Sequence, residues 1–247
     1  DAARQVVDLN GAYLLPGLID GHTHIESSML HPARYAEAVS PHGTLTVVTD
    51  LHEIANVCGM EGIEFCMRWS RKLPLDMKFM APSCVPATPL ETSGATITAD
   101  AIRELLTRSD VIGLGEVMNY PGVLAGSEDV LEKLEAARGR PIDGHAPGLR
   151  GRDLSAYIAA GIMTDHECTS FDEASEKLAM GMRIMIREGS SEKNLEALLP
   201  LAAGETYRRC MFVVDDRSAA DLSREGDIDH VLRRAIALGL DPVRAVQ

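Results

Sequence analysis

Five of the eight histidines stand at the ends of short apolar runs, and acidic residues share those positions. His22 and His24 follow the run 14–20, and Asp50, His52 and Glu53 end the run 45–50. Ser83 and Cys84 follow 75–81, Glu116 ends 111–117, and His145 follows 141–144. Asp165, His166 and Glu167 end 162–165, Glu188 and Ser190 follow 183–187, and Asp215 and Asp216 follow 211–214. Imidazole nitrogens and carboxylate oxygens are the donors that Zn, Fe(II) and Mn(II) accept. A cluster of them points to a divalent metal centre able to activate water.

His22 and His24 are two residues apart at a strand end, so period-2 geometry puts both rings on one face. An isolated His-x-His is weak evidence. Three further run ends that carry histidine turn it into a metal-ligating pair. Glu116 follows Gly113-Leu-Gly115, whose glycines allow close backbone approach, and its two oxygens can bridge two cations. His145 and His166 each end an apolar run and each offer one imidazole donor. Asp215 and Asp216 also fit a helix N-cap and its neighbour. Asp215, the first residue past its run, is the candidate to touch both metal and water. Asp216 either caps or supports the ligands. His31, His42 and His230 fall away from the run ends and read as structural.

These positions need a scaffold that brings strand ends together. The eight runs alternate with amphipathic helical patterns at 99–108, 128–138, 172–180 and 191–203, the signature of βαβ units in a parallel sheet. Eight units predict a (β/α)8 TIM-type barrel of α/β class, whose catalytic groups project from the carboxyl ends of the strands. The length of 247 residues suits one such barrel. An open dinucleotide-binding sheet would place GxGxxG after its first strand, where this chain has Gly21-His-Thr-His24.

Composition narrows the partners. A formal net charge of −13 repels phosphate backbones, so nucleic acid and anionic membranes are poor partners. The five cysteines are odd in number and lack CxxC spacing, which argues against a disulfide framework and fits a reducing cytoplasm. No apolar run is long enough to span a bilayer, and the first residues lack a signal-peptide pattern. The chain begins without Met and stops just after a helical pattern, as a piece of a longer protein would.

The ordered set His-x-His, Glu, His, His, Asp at run ends one, four, five, six and eight resembles the amidohydrolase superfamily. Finer segments resemble its bacterial adenine deaminase family. They include Pro16-Gly-Leu-Ile-Asp-Gly-His-Thr-His-Ile-Glu-Ser-Ser-Met29, His52-Glu-Ile-Ala-Asn-Val57, Glu91-Thr-Ser-Gly-Ala95 and Gly113-Leu-Gly-Glu-Val-Met-Asn119. Asp143-Gly-His-Ala-Pro-Gly-Leu149, Ile186-Arg-Glu-Gly-Ser190 and Val214-Asp-Asp-Arg217 extend the likeness over nearly the whole chain. Leu51 and Val213 depart from the family's usual residues without touching a candidate ligand. Relatives that bridge their metals with a carboxylated lysine are disfavoured, because no lysine lies between Lys78 and Lys133.

The resemblance implies hydrolysis of adenine to hypoxanthine and ammonia at a binuclear Mn(II) or Fe(II) centre, with Zn also compatible. His22, His24 and Asp215 would hold one metal, His145 and His166 the other, and Glu116 would bridge them. Asp215 would move the proton of the attacking water, and Glu53 or His52 would supply one to the ring. Glu188, Ser190 and Asp216 would contact the purine. The resemblance further implies residues 1–13 as the remnant of a small β-sandwich, the barrel over 14–247, and a homodimeric assembly. Another amidohydrolase acting on a different aminopurine or an amide is the rival within the fold. A non-catalytic metal-binding barrel is the rival outside it.

Overall fold

A computed structural model describes residues 3–247. Its strands are β1 (Leu18–His24), β2 (Thr44–Asp50), β3 (Asp76–Ala81), β4 (Val111–Val117), β5 (Ile142–Gly144), β6 (Thr164–Asp165), β7 (Arg183–Arg187), β8 (Cys210–Val213) and β9 (Asp215–Asp216). The principal helices are α1 (Pro32–Val39), α2 (His52–Ser70), α3 (Ala99–Leu105), α4 (Tyr120–Ala125), α5 (Glu128–Ala136), α6 (Gly151–Ala159), α7 (Phe171–Ala179), α8 (Leu195–Ala203), α9 (Ala219–Arg224), α10 (Ile228–Ala237) and α11 (Pro242–Val246). The alternation read from the sequence is therefore present, and all paired strands run parallel.

The strands form two sheets, ordered β5-β4-β3-β2-β1-β9 and β6-β7-β8. Their edges approach at two seams. At one, Met163 just before β6 donates its N–H to Ile142 of β5 at 3.0 Å. At the other, the chain leaves β8, passes Val214 and enters β9, which pairs with β1 through Thr23↔Asp215 and His24↔Asp216. Val214 N–H donates to Asp20 Oδ1 at 3.1 Å as the chain crosses. Each sheet has its own apolar core. Val47, Phe79, Leu114 and Ile142 pack with Ile63 and Met67 of α2 and Ile102 of α3. Ile184 and Ile186 pack with Leu198 of α8 and Val231 of α10.

The first strand differs from its expected span of 14–20. Leu14 and Leu15 are exposed, and pairing begins at Leu18, whose N–H donates to Gly43 at 2.8 Å. Pro16 has no N–H to give a ladder. A Cβ on Gly17 would stand 2.4 Å from the Leu45 side chain, so only a bare backbone passes there. The strand instead continues through Thr23 and His24, so the histidine pair lies within it. The helix expected from 191 begins at Leu195, because Glu188 and Lys193 close a short bridge first. Residues 3–17 contain no strand and are almost all exposed. Of the expected sandwich remnant, residues 1 and 2 lie outside the described residues. Among the described residues no helix is long and apolar enough to cross a membrane.

Candidate metal centre

His22 and His24 leave β1 side by side, both 3% exposed, with their Nε2 atoms 3.2 Å apart. Their other nitrogens decide what that approach means. His22 Nδ1 lies 2.7 Å from Asp143 Oδ2, and His24 Nδ1 lies 2.9 Å from the Asp50 carbonyl oxygen. Both partners are acceptors, so each Nδ1 carries a proton, and loss of the Nε2 protons gives the neutral rings that ligate. Two Nε2 lone pairs are then left facing one another. That arrangement repels unless a cation stands between them, and it is the form in which imidazole ligates a metal.

The acidic groups complete two overlapping sets. Asp215 Oδ1 lies 3.7 Å from His22 Nε2 and 3.5 Å from His24 Nε2. Glu116, 2% exposed, directs Oε1 to His24 Nε2 at 3.1 Å and Oε2 to His166 Nε2 at 3.2 Å and His145 Nδ1 at 2.5 Å. His145 Nδ1 and His166 Nε2 are 3.3 Å apart. The groups His22–His24–Asp215 and Glu116–His145–His166 are each compact enough to hold a metal ion. One carboxylate thus faces both sets. His52 packs its ring on His24, with centroids 4.7 Å apart, and its Nδ1 lies 3.5 Å from Glu116 Oε1.

Burial opposes charge throughout the cluster, yet opposite charges outweigh it. Burial alone would lower the His22 pKa, but the Asp143 and Asp215 carboxylates hold it well above the ordinary value. His24 and His145 are raised against burial chiefly by Glu116. In return, His166, His145 and His24 overcome burial and hold the Glu116 carboxyl well below its usual range. Asp215 is lowered in the same way, chiefly by His22. Burial pushes Glu26, just beyond β1, up to about 7.

These shifts give a signed pH prediction for the metal-free chain. The raised histidines contribute stability that is complete below their unfolded pKa of about 6.5 and lost as pH rises through their folded values. The lowered carboxylates contribute above about pH 4 and stay constant over that range. The Tm of chelator-treated protein should therefore fall as pH rises from about 6.5 into the alkaline range, while Mn(II) uptake strengthens because the metal displaces protons. A chelated chain whose Tm rises over that span would contradict the ion-paired cluster.

Neighbouring residues fix the ligands. Arg187 at the end of β7 places Nη1 2.6 Å from both Asp215 Oδ2 and Glu167 Oε1. It leaves Asp215 Oδ1 turned toward the histidines. Asp50 Oδ2 accepts the Glu116 N–H at 3.0 Å, and the Ser83 hydroxyl donates to the Glu116 carbonyl oxygen at 2.5 Å. A Cβ on Gly115 would meet Asp50 Oδ2 at 2.0 Å. Gly115→Ala should therefore expel the Asp50 carboxylate, free the Glu116 N–H and cost about 1–3 kcal/mol. Thermal unfolding and Mn(II) content of the variant check this, and an unchanged Tm with full metal would contradict it.

The structure brings together His22, His24, His52, Glu116, His145, His166 and Asp215. Glu53 and Asp216 stand at the rim, both within hydrogen-bonding reach of the Ser27 hydroxyl, which is 3.2 Å from Glu53 Oε1. Glu188 and Ser190 are not brought to the cluster. Glu188 is buried against Arg234 of α10 at 2.9 Å, and Ser190 Oγ donates to Asp221 Oδ2 at 2.5 Å. Their side chains are committed elsewhere because Arg187 takes the inward position and period-2 geometry turns Glu188 away. His31 accepts from Ala33 N–H at the start of α1, and His42 and His230 lie beside Asp229 and Glu225, all apart from the cluster.

Sequence reasoning missed Asp143, Arg187, Glu167 and Asp50 as partners of the ligands, and Ser27 as the partner of Glu53 and Asp216. Asp143 was within reach, since it precedes His145 by two residues and period-2 counting puts both on one face.

Residues 13–235 match the model described as Amidohydrolase family. The chain belongs to that family. It is 65% identical over 98% of its length to a protein named adenine deaminase from Dehalococcoides mccartyi, covering 43% of that relative. It is 52% identical over 99% of its length to an adenine deaminase of Nitratidesulfovibrio vulgaris, again 43% of the relative. It is 53% identical over 95% of its length to adenine deaminase 2 of Carboxydothermus hydrogenoformans, 41% of that protein. The chain thus spans less than half the length of these curated relatives. The crystal structure of an uncharacterized protein superposes with a TM-score of 0.50 at 13% identity, covering 98% of this chain and 76% of the other. That likeness concerns the fold alone.

Proposed function

We propose that this chain carries the catalytic centre of an adenine deaminase, which hydrolyses adenine to hypoxanthine and ammonia. The facing Nε2 lone pairs of His22 and His24 carry the metal half of this reading. The names of relatives at 52–65% identity support the substrate. The fold is read as a (β/α)8 barrel over residues 14–247 whose two seams are closed by hydrogen bonds, with residues 1–13 as the tail of a small β-sandwich. The assembly is read as a cytoplasmic homodimer.

His22, His24 and Asp215 would hold one divalent cation, His145 and His166 a second, and Glu116 would bridge them. An all-imidazole and carboxylate set suits Mn(II) or Fe(II), and also Zn. Such cations, when bound, supply Lewis acidity that makes water a nucleophile near neutral pH. The residues do the rest. Asp215 Oδ1 accepts a proton from the attacking water as its oxygen bonds to C6 of adenine. The same carboxyl returns that proton to the departing amine, the C6–N bond breaks and ammonia leaves. Arg187 holds Asp215 Oδ2 during both transfers, so only Oδ1 is free to react. Glu53 or His52 supplies the ring nitrogen with its proton and is restored by the remaining hydroxyl proton as the C6–O bond becomes the carbonyl, and Asp216 meets the purine at the rim.

The test mixes the Mn(II)-loaded protein with adenine and follows ammonia and purine absorbance. Hypoxanthine formation that ceases on chelation is the expected result. Two bound metals with no turnover of adenine would move the substrate to another aminopurine or an amide.

A further inference from the structure

The seam between the two sheets falls where two proposed ligands stand. His145 follows β5, the last strand of one sheet, and His166 follows β6, the first strand of the other. These are short strands of three and two residues, and they belong to no common ladder. One backbone hydrogen bond, Met163 N–H to Ile142, and the Thr164 hydroxyl on Asp143 cross the seam before the histidines, so no continuous ladder sets the spacing of the loops beyond them. A further group ties those loops together.

Lys177 of α7 lies behind them and is fully buried. An ammonium has three N–H donors. Here each finds an acceptor: the Ala146 carbonyl oxygen at 2.7 Å, Asp165 Oδ2 at 3.0 Å and Glu173 Oε1 at 2.7 Å. Ala146 is the residue after His145, and Asp165 is the residue before His166. The same acceptors take further donors from the two loops. Asp165 Oδ1 accepts Ala146 N–H at 2.8 Å, Asp165 Oδ2 accepts Glu167 N–H at 3.2 Å, and Glu173 Oε1 accepts Gly148 N–H at 2.9 Å. Asp165, Cys168 and Glu173 form a ligand-like group of their own, but the Lys177 ammonium already stands between its two carboxylates.

We propose that Lys177 is a positioning residue that clamps the His145 and His166 loops across the seam and so sets the geometry of the second metal position. The clamp rests on the binuclear reading of the site only for its metal consequence. Its effect on the loops stands independently.

The experiment compares the wild-type protein with Lys177→Met and with Lys133→Met. Lys133 of α5 is also buried, paired with Asp129 at 2.8 Å, and contacts neither loop through its ammonium. Mn(II) is titrated into each, and bound metal is counted after equilibrium dialysis. Backbone hydrogen exchange over residues 144–149 and 164–168 is followed in chelated protein. For Lys177→Met, one of two Mn(II) equivalents should weaken by about 10–100-fold, as expected when a group that orients ligands is lost. Exchange over the two loops should accelerate, with both readouts unchanged in Lys133→Met. If the single variant does not fold, D165N/E173Q/K177M removes the three charges together and is read in the same way. Wild-type loop protection and wild-type Mn(II) affinity in these Lys177 variants would overturn the clamp. A wild-type chain that takes up no Mn(II) would overturn the metal reading, while the exchange comparison still decides the clamp.

Discussion

Glu116→Ala is expected to leave the protein with less than one Mn(II) per chain after dialysis. Glu116 is the carboxylate that faces both ligand sets, with one oxygen 3.1 Å from His24 Nε2 and the other 3.2 Å from His166 Nε2. Truncation removes a donor from each position at once. It also removes the negative charge that offsets two cations brought together in a buried site. Loss of a group that merely orients a ligand weakens metal binding by about 10–100-fold. Loss of a shared ligand should exceed that range. Glu116→Gln separates the two contributions, since it keeps one oxygen donor and removes the charge. Metal analysis of the dialysed variants is the check. A Glu116→Ala protein that retains two metals would rule out the bridging role.

Asp215→Asn should show the opposite pattern, with metal largely retained and turnover lowered by about 10²–10⁴-fold, the usual worth of a general base. Asp215 adopts φ 66° at the crossing from β8 to β9. Asn is the replacement best suited to that left-handed backbone, so a folding defect is not expected to mask the kinetic one. The single amide oxygen can face either Arg187 or the metal position, with His22, His24 and Glu116 left to hold the cation, and in neither pose can it accept and return a proton. The loss should fall on kcat, with KM for adenine close to wild type. Steady-state rates need to be measured on samples whose metal content is known. Near-normal kcat with normal metal would take Asp215 out of the proton-transfer step.

The centre was legible in the sequence where chemistry and period coincide. His22 and His24 announce a shared face by their spacing, and Glu116, His145, His166 and Asp215 mark the ends of the fourth, fifth, sixth and eighth runs. Composition of the apolar runs was a poorer guide to strand boundaries. Leu14 and Leu15 look like strand residues but lie outside the sheet, because Pro16 and Gly17 interrupt pairing. The polar histidines that look like the end of β1 are part of it. Glu188 and Ser190 follow a strand end yet stand away from the metal-ligand cluster for a related reason. Proximity in sequence to a strand end does not determine the face, and Arg187 already occupies the inward one. Asp50 reaches His24 across 26 residues, and Lys177 reaches the residue after His145 across 31. No local pattern encodes such meetings, because they depend on how distant elements stack.

The seams between the two sheets have a consequence for how the protein comes apart. Each sheet has a separate apolar core, so each half is a candidate cooperative unit with its own opening free energy. The proposed ligands straddle the division: His22, His24, Glu116 and His145 belong to one half, His166 to the other, and Asp215 to the crossing strand. Cations bound there would act as reversible crosslinks between two foldons. Their binding energy adds to the coupling between halves rather than to either half alone, by about RT ln(1 + [M]/Kd). Loaded protein should then melt in one step, while chelation uncouples the halves and lets the smaller one open first.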